Sequence, residues 1–226
     1  MEQFKICLKL YYTEIQTCKP RFLYWLGAAC VACLYLTMCV CGIGAESNLL
    51  YAYSYFFFML NYRLSIPKFY KIFYTIPLEI KMLQSYLGWR MFFYDMYYLI
   101  LTVIAFILCC AFGKEWDIWR VAGISLTHSY VSMCGIASGI KQLAGKEKRS
   151  LSGKETLIMI WIFIAWICST VEMAAVVQGV AEKIMLLIGF SGWILVHWMI
   201  LNQCKKPIVW QDYKEPQPFW RPVVDE

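Results

Sequence analysis

The chain has 226 residues, of which 61% are hydrophobic and 18% aromatic, while only 16% are charged. That balance leaves too little polar surface to cover a water-soluble globule of this length, which excludes a soluble enzyme. The net charge of +6 calls for no nucleic-acid partner, because the basic residues gather between apolar runs long enough to cross the roughly 30 Å of hydrocarbon in a bilayer.

Residues 1–20 carry Lys5, Lys9, Glu2 and Glu14 and lack the short apolar core and small-residue cleavage site of a secretory signal, so they are expected to stay on the mature protein. Phe4, Leu8, Tyr11 and Ile15 recur at helical spacing while Lys5, Lys9 and Glu14 point elsewhere. This predicts an amphipathic helix lying in the membrane interface until Pro20 breaks it, either as an elbow docked on a partner or as a plain surface anchor.

Apolar runs follow at 22–44, 47–62, 96–112, 118–140, 156–180 and 184–202. None alternates with period two, and lipid cannot satisfy open strand edges, so the expected fold is an all-α polytopic membrane protein with six transmembrane helices in one domain. Six spans place eighteen of the twenty-one Lys and Arg on one side and leave only Lys114, Arg120 and Lys183 on the other. The positive-inside rule then puts both termini in the cytoplasm of a bacterial plasma membrane.

The cytoplasmic loop at 63–90 is more than a linker. After Pro67, the residues Phe69, Ile72, Phe73 and Ile76 form an apolar stripe against Lys68, Lys71 and Thr75, giving a short amphipathic helix that Pro77 ends. A second helix is expected from Leu78, with Leu78, Met82, Leu83 and Tyr86 as its apolar stripe, running on into the third span.

Motifs for catalysis are mostly lacking. Gly145-Lys146 and Gly153-Lys154 are each followed by Glu and have no glycine at the earlier P-loop position, so the chain is expected to bind no nucleotide, cofactor or metal of its own. The thiols of Cys30 and Cys33 share one lipid-embedded helix with no second pair to complete a tetrahedral site. Gly189-Phe190-Ser191-Gly192, with His197 nearby, resembles the serine motif of intramembrane rhomboid proteases. Yet His197 falls on the far side of the same helix and His128 precedes the serine, the reverse of that family's order, and small residues at a helix crossing explain the segment equally well.

The segment Ile76-Pro77-Leu78-Glu79-Ile80-Lys81, with Leu87-Gly88-Trp89-Arg90 after it, resembles the first cytoplasmic loop of permease subunits from the second type of ATP-binding-cassette (ABC) exporters, those with the type V exporter fold. The elbow helix and the six spans extend the resemblance over nearly the whole chain, although only about four residues separate the fifth and sixth runs, where many members carry short re-entrant helices. The resemblance implies a translocation pathway built from two permease subunits, homo- or heterodimeric, driven by separate cytoplasmic ABC ATPase subunits that hold ATP and Mg. It assigns the ATPase contact to Lys68, Phe69, Lys71, Phe73, Ile76, Pro77, Glu79 and Lys81. Compact size and aromatic richness make the chain similar to exporters of amphipathic peptides such as bacteriocins or phenol-soluble modulins, with the cluster Tyr51, Tyr53, Tyr55, Phe56, Phe57 and Phe58 as a greasy lateral cavity. A small-solute transporter or uptake component, and an intramembrane enzyme, are the alternatives.

Glu172 and His128 are ionisable residues deep within the apolar runs. Each falls about 12 Å below the outer surface at 1.5 Å per residue. A carboxylate at that depth costs several kcal/mol unless paired or wetted. Glu172 is therefore expected to face the bundle interior or a subunit interface, with His128 as its partner and Ser125, Thr127, Ser129 and Ser132 close by. In the tail, 205–226, Pro207, Pro216, Pro218 and Pro222 forbid a long helix, and the aromatics between them predict packing against the loops or the ATPase.

Overall fold

The computed structural model describes residues 2–17, 21–41, 48–67, 80–143, 153–173 and 179–203. Among them all regular structure is helical: α1 (Glu2–Thr17), α2 (Arg21–Cys41), α3 (Asn48–Ser65), α4 (Ile80–Ala111), α5 (Ile118–Leu143), α6 (Gly153–Met173) and α7 (Val180–Gln203). Among the described residues the six apolar runs fall on α2 to α7 in order, except that Val180, the last residue of the fifth run, begins α7. Three stretches are long and apolar enough to cross a membrane, Phe22–Val40, Lys81–Ala111 and Val180–Asn202, and Thr156–Val171 is a shorter apolar helix. These helices are consistent with a membrane protein. Their outward faces carry Leu99, Val103, Phe106 and Ile107 on α4, Phe163 and Ile167 on α6, and Leu187 and Ile194 on α7, all exposed as lipid-facing residues are.

α5 occupies the centre, packed against α2, α3, α4, α6 and α7. That position explains why it is less apolar than α2, α4, α6 and α7. Thr127, His128, Ser129 and Ser132 are all buried on it, where lipid never reaches them, and neighbouring helices supply hydrogen bonds to Ser129 and Ser132. Close approach is bought with small residues: a Cβ on Gly135 would stand 2.5 Å from the Tyr62 carbonyl oxygen of α3, and one on Gly192 of α7 would collide with Ala165 of α6 and the Tyr130 hydroxyl of α5. The small-residue crossing expected around Gly189 and Gly192 is therefore present.

The helix ends are specified locally. α4 closes with Gly113 at φ 62°, the Lys114 amide bonding the Cys109 carbonyl at 2.9 Å and the Gly113 amide the Cys110 carbonyl at 3.3 Å. This is a Schellman end, in which glycine takes the left-handed position and the last carbonyls are satisfied. Asp117 then caps α5, its Oδ1 accepting from the amides of Trp119 at 3.1 Å and Arg120 at 3.2 Å.

The helix expected to lead into the third run is present: α4 runs unbroken through 32 residues, about 48 Å, and Arg90 lies inside it, 2% exposed. One feature differs from expectation. The amphipathic α1 is rotated: its buried side holds Cys7, Glu14 and Ile15, while Leu8 is 44% exposed. Glu14, expected on the polar face, is turned inward because Arg90 waits there.

Candidate functional site: a polar cluster between α4, α5 and α7

Three polar clusters occupy the bundle. In the first, Arg90 of α4 donates through Nη1 to Glu14 Oε2 of α1 and to the Tyr86 hydroxyl at 3.1 Å, and through Nη2 to the Ser65 carbonyl of α3 at 3.1 Å. Tyr86 also donates to Glu14 Oε2, and the Tyr94 hydroxyl donates to the Leu64 carbonyl at 2.8 Å. α4 thus supplies donors to the carbonyls at the C-terminal end of α3, which have no partners within their own helix. The guanidinium also lies 5.3 Å from the centre of the Tyr11 ring. One buried ion pair therefore joins α1, α3 and α4.

The second cluster surrounds His128, whose ring is fully buried against Tyr35 of α2, Phe58 of α3 and Tyr98 of α4 at centroid distances of 5.6, 5.6 and 6.0 Å. Beside it Ser125 contacts the Tyr35 hydroxyl at 2.5 Å and Thr102 at 3.1 Å, and Ser132 contacts the Tyr98 hydroxyl at 3.0 Å and donates to Asn61 Oδ1 at 3.2 Å. Thr127 is buried with its hydroxyl unpartnered among the described residues. His128, Ser125 and Ser132 are thus brought together, on the side of α5 that faces α2, α3 and α4. Glu172 lies on α6, and its side chain is outside the described ones.

The third cluster was not anticipated. Asp95 of α4 accepts from the Ser129 hydroxyl of α5 at 2.7 Å through Oδ1 and meets His197 Nε2 of α7 at 3.0 Å through Oδ2. His197 Nδ1 faces the Trp193 carbonyl at 2.8 Å, and Trp193 Nε1 donates to the Ser129 hydroxyl at 2.8 Å. The indole and imidazole centroids are 4.3 Å apart. The loop of contacts is closed: Asp95, His197, Trp193, Ser129 and back to Asp95. The side chains of His197 and Asp95 remain 18% and 24% exposed, so the pair sits in a cleft between α4 and α7 with α5 as its floor.

The signal for Asp95 was present but misread. Starting the third run at Met96 left Asp95 just outside it, whereas one helix from Ile80 to Ala111 places it at the midpoint, where an ionisable side chain demands a partner. Ser129 bonds Asp95, and among the described residues it makes no hydrogen bond to His197. Ser191 donates to the Ile188 carbonyl and accepts from Trp161. Neither serine is paired with a histidine base.

Of the assigned ATPase contact, Lys68, Phe69, Lys71, Phe73, Ile76, Pro77 and Glu79 lie outside the described residues, and Lys81 is exposed on the first turn of α4. The tail from 204 onward also lies outside them. Of the aromatic cluster at 51–58, Phe56 is exposed and Phe58 packs on His128. A different apolar groove, about 330 Å³, lies among α1, α2, α3 and α4, lined by Tyr11, Ile15, Trp25, Asn61, Phe93 and Tyr97.

The chain matches no family model, and no curated protein or solved structure shows significant similarity to it.

Proposed function

We propose that the chain is the permease subunit of an ABC exporter, paired with a second permease subunit to form a pathway for hydrophobic or amphipathic peptides and driven by cytoplasmic ATPase subunits. The observation that carries this reading is the clamp between the interfacial helix and the long helix: Glu14 of α1 bound to Arg90 of α4, with Tyr86 between them. An elbow fastened to α4 two to three turns beyond the loop at 66–79 ties that loop to the bundle, so that a partner pressing on the loop displaces α1 and α4 as one body. The aromatic groove beside α1 suits an apolar cargo. It is reached from the flank of the bundle, where amphipathic peptides partition. ATP hydrolysis belongs to the partner in this reading, since the chain has no P-loop.

The test is to purify the tagged chain from its native membrane and ask whether a P-loop ATPase comes with it. Expected is co-purification, with ATP turnover stimulated by the permease. Phe73→Asp, which puts a charge into the apolar ridge of the loop, should abolish export while the permease stays in the membrane. Normal export by that variant would remove the coupling role.

A second reading rests on the Asp95–His197 pair, which suits a transporter that takes its energy from a proton gradient. In that case the purified chain would transport without any ATPase.

A further inference from the structure

We propose that Asp95 and His197 form a binding site for one proton, and that occupancy by this proton holds α4 and α7 together. The inference concerns the chain by itself and does not depend on the exporter reading. It follows from the hydrogen-bond directions. A backbone carbonyl only accepts, so His197 Nδ1, 2.8 Å from the Trp193 oxygen, must carry a hydrogen. The 3.0 Å contact between Nε2 and Asp95 Oδ2 then requires a second hydrogen. It resides on nitrogen, giving imidazolium and carboxylate, or on oxygen, giving imidazole and carboxylic acid. Either way the pair is neutral overall, and one N–H or O–H bond has formed with a proton taken from water.

Without that proton, the single ring hydrogen can serve the Trp193 carbonyl or Asp95 but not both; kept at Nδ1 by the carbonyl of its own helix, it leaves two lone pairs facing each other across the Asp95 contact, and the pair carries one negative charge among apolar helices. Among the described residues the carboxylate keeps only Ser129 as a donor. The α4–α7 seam has little else polar to hold it: Gln84 Nε2 reaches the Leu201 carbonyl at 3.5 Å, and Gly88 packs near the Leu201 side chain. Losing the proton therefore favours opening of this seam; the Trp193–Ser129 bond from α7 to α5 belongs to the same network, whereas the Tyr130–Gly189 bond between those helices shares no residue with it.

The surroundings leave the pair as the group that responds. On α4, Arg90 is held by Glu14 of α1, Tyr94 by the Leu64 carbonyl and Tyr98 by Ser132. On α5, Tyr130 donates to the Gly189 carbonyl and His128 is enclosed by Tyr35, Phe58 and Tyr98, while Cys134 is exposed. On α7, Glu182 and Lys183 lie roughly 21 Å along the helix from His197. On α6, Lys154 is exposed and Cys168 half-buried. The partial exposure of both members gives the proton a route, which fully buried His128 lacks.

The chain has two histidines, which makes nitrogen NMR of the histidine-labelled full chain in lipid vesicles decisive, with His128→Gln used to assign the signals. Expected is a His197 whose Nδ1 stays protonated while the Nε2 signal shifts on titration, with the shift displaced in Asp95→Asn. Amide exchange across residues 193–203 should rise several-fold on the alkaline side of that transition in the native protein and be raised at every pH in Asp95→Asn. Asp95→Glu should restore the coupling and so controls for a folding defect. A His197 signal that does not change with pH, or that titrates identically in Asp95→Asn, overturns the site. A titration that leaves exchange over 193–203 unaltered overturns its role in holding the seam.

Discussion

Arg90 is held at 2% exposure by a carboxylate that comes from a different helix, so each member of the pair makes the other tolerable. Removing only one leaves a buried charge without compensation. Arg90→Met should therefore cost about 3–5 kcal/mol, read as a lower thermal midpoint in detergent, whereas Arg90→Met combined with Glu14→Gln should recover most of the loss. A double variant no better than the single one would show that the pair is not the source of the cost. Cys7, on the same buried side of α1, is a reporter for this clamp, since burial pushes its thiol up and so keeps it in the unreactive neutral form near neutral pH. Alkylation of Cys7 should be slow in the native protein, should accelerate as pH rises, and should be fast already near neutral pH in Arg90→Met. At this scale the sequence was legible in part. The apolar stripe of α1 identified a helix, but periodicity assigns every carboxylate to the wet side and has no means of registering that Arg90, 76 residues away, would draw Glu14 inward.

At the scale of helices, the crossings are set by glycines that leave no room for a Cβ, and the one that meets a neighbouring backbone closely should be intolerant. Gly135→Ala places a methyl against the Tyr62 carbonyl and Ser65 of α3 and should cost about 1–3 kcal/mol. Gly88→Ala, by contrast, meets only the Leu201 side chain at 3.8 Å, so it should be neutral or stabilise by up to about 1 kcal/mol through helix propensity. Thermal midpoints of the two variants decide whether close packing or glycine flexibility is what these positions supply. Helix positions were the most legible feature of the chain, because a continuous apolar run of sufficient length admits one backbone solution in lipid. The helix leading into the third run was legible too, from the apolar stripe after Leu78, but the partners that α1, α5 and α7 give to Arg90 and Asp95 within it are ones that no local window reveals.

For the whole molecule, the basic residues predict that tags at either terminus are both protected from an extracellular protease in intact cells and both cleaved after permeabilisation. Cleavage of one tag in intact cells would require an odd number of spans. The site was the least legible part, since Asp95, Ser129 and His197 belong to three helices whose contact follows from tertiary packing, and none is flanked by a local motif. α4 connects all these observations. It is a single rod of about 48 Å with Asp95 at its middle, clamped through Arg90 to α1 and free of any internal proline or glycine pair at which to bend. Such a rod moves as a lever whose fulcrum is the carboxylate: a tilt of about 10° would swing its two ends by roughly 4 Å in opposite directions while Asp95 hardly moved. Force applied at Lys81 would then arrive at Phe112 reversed in sign, and the strength of the fulcrum would depend on one hydrogen between Asp95 and His197.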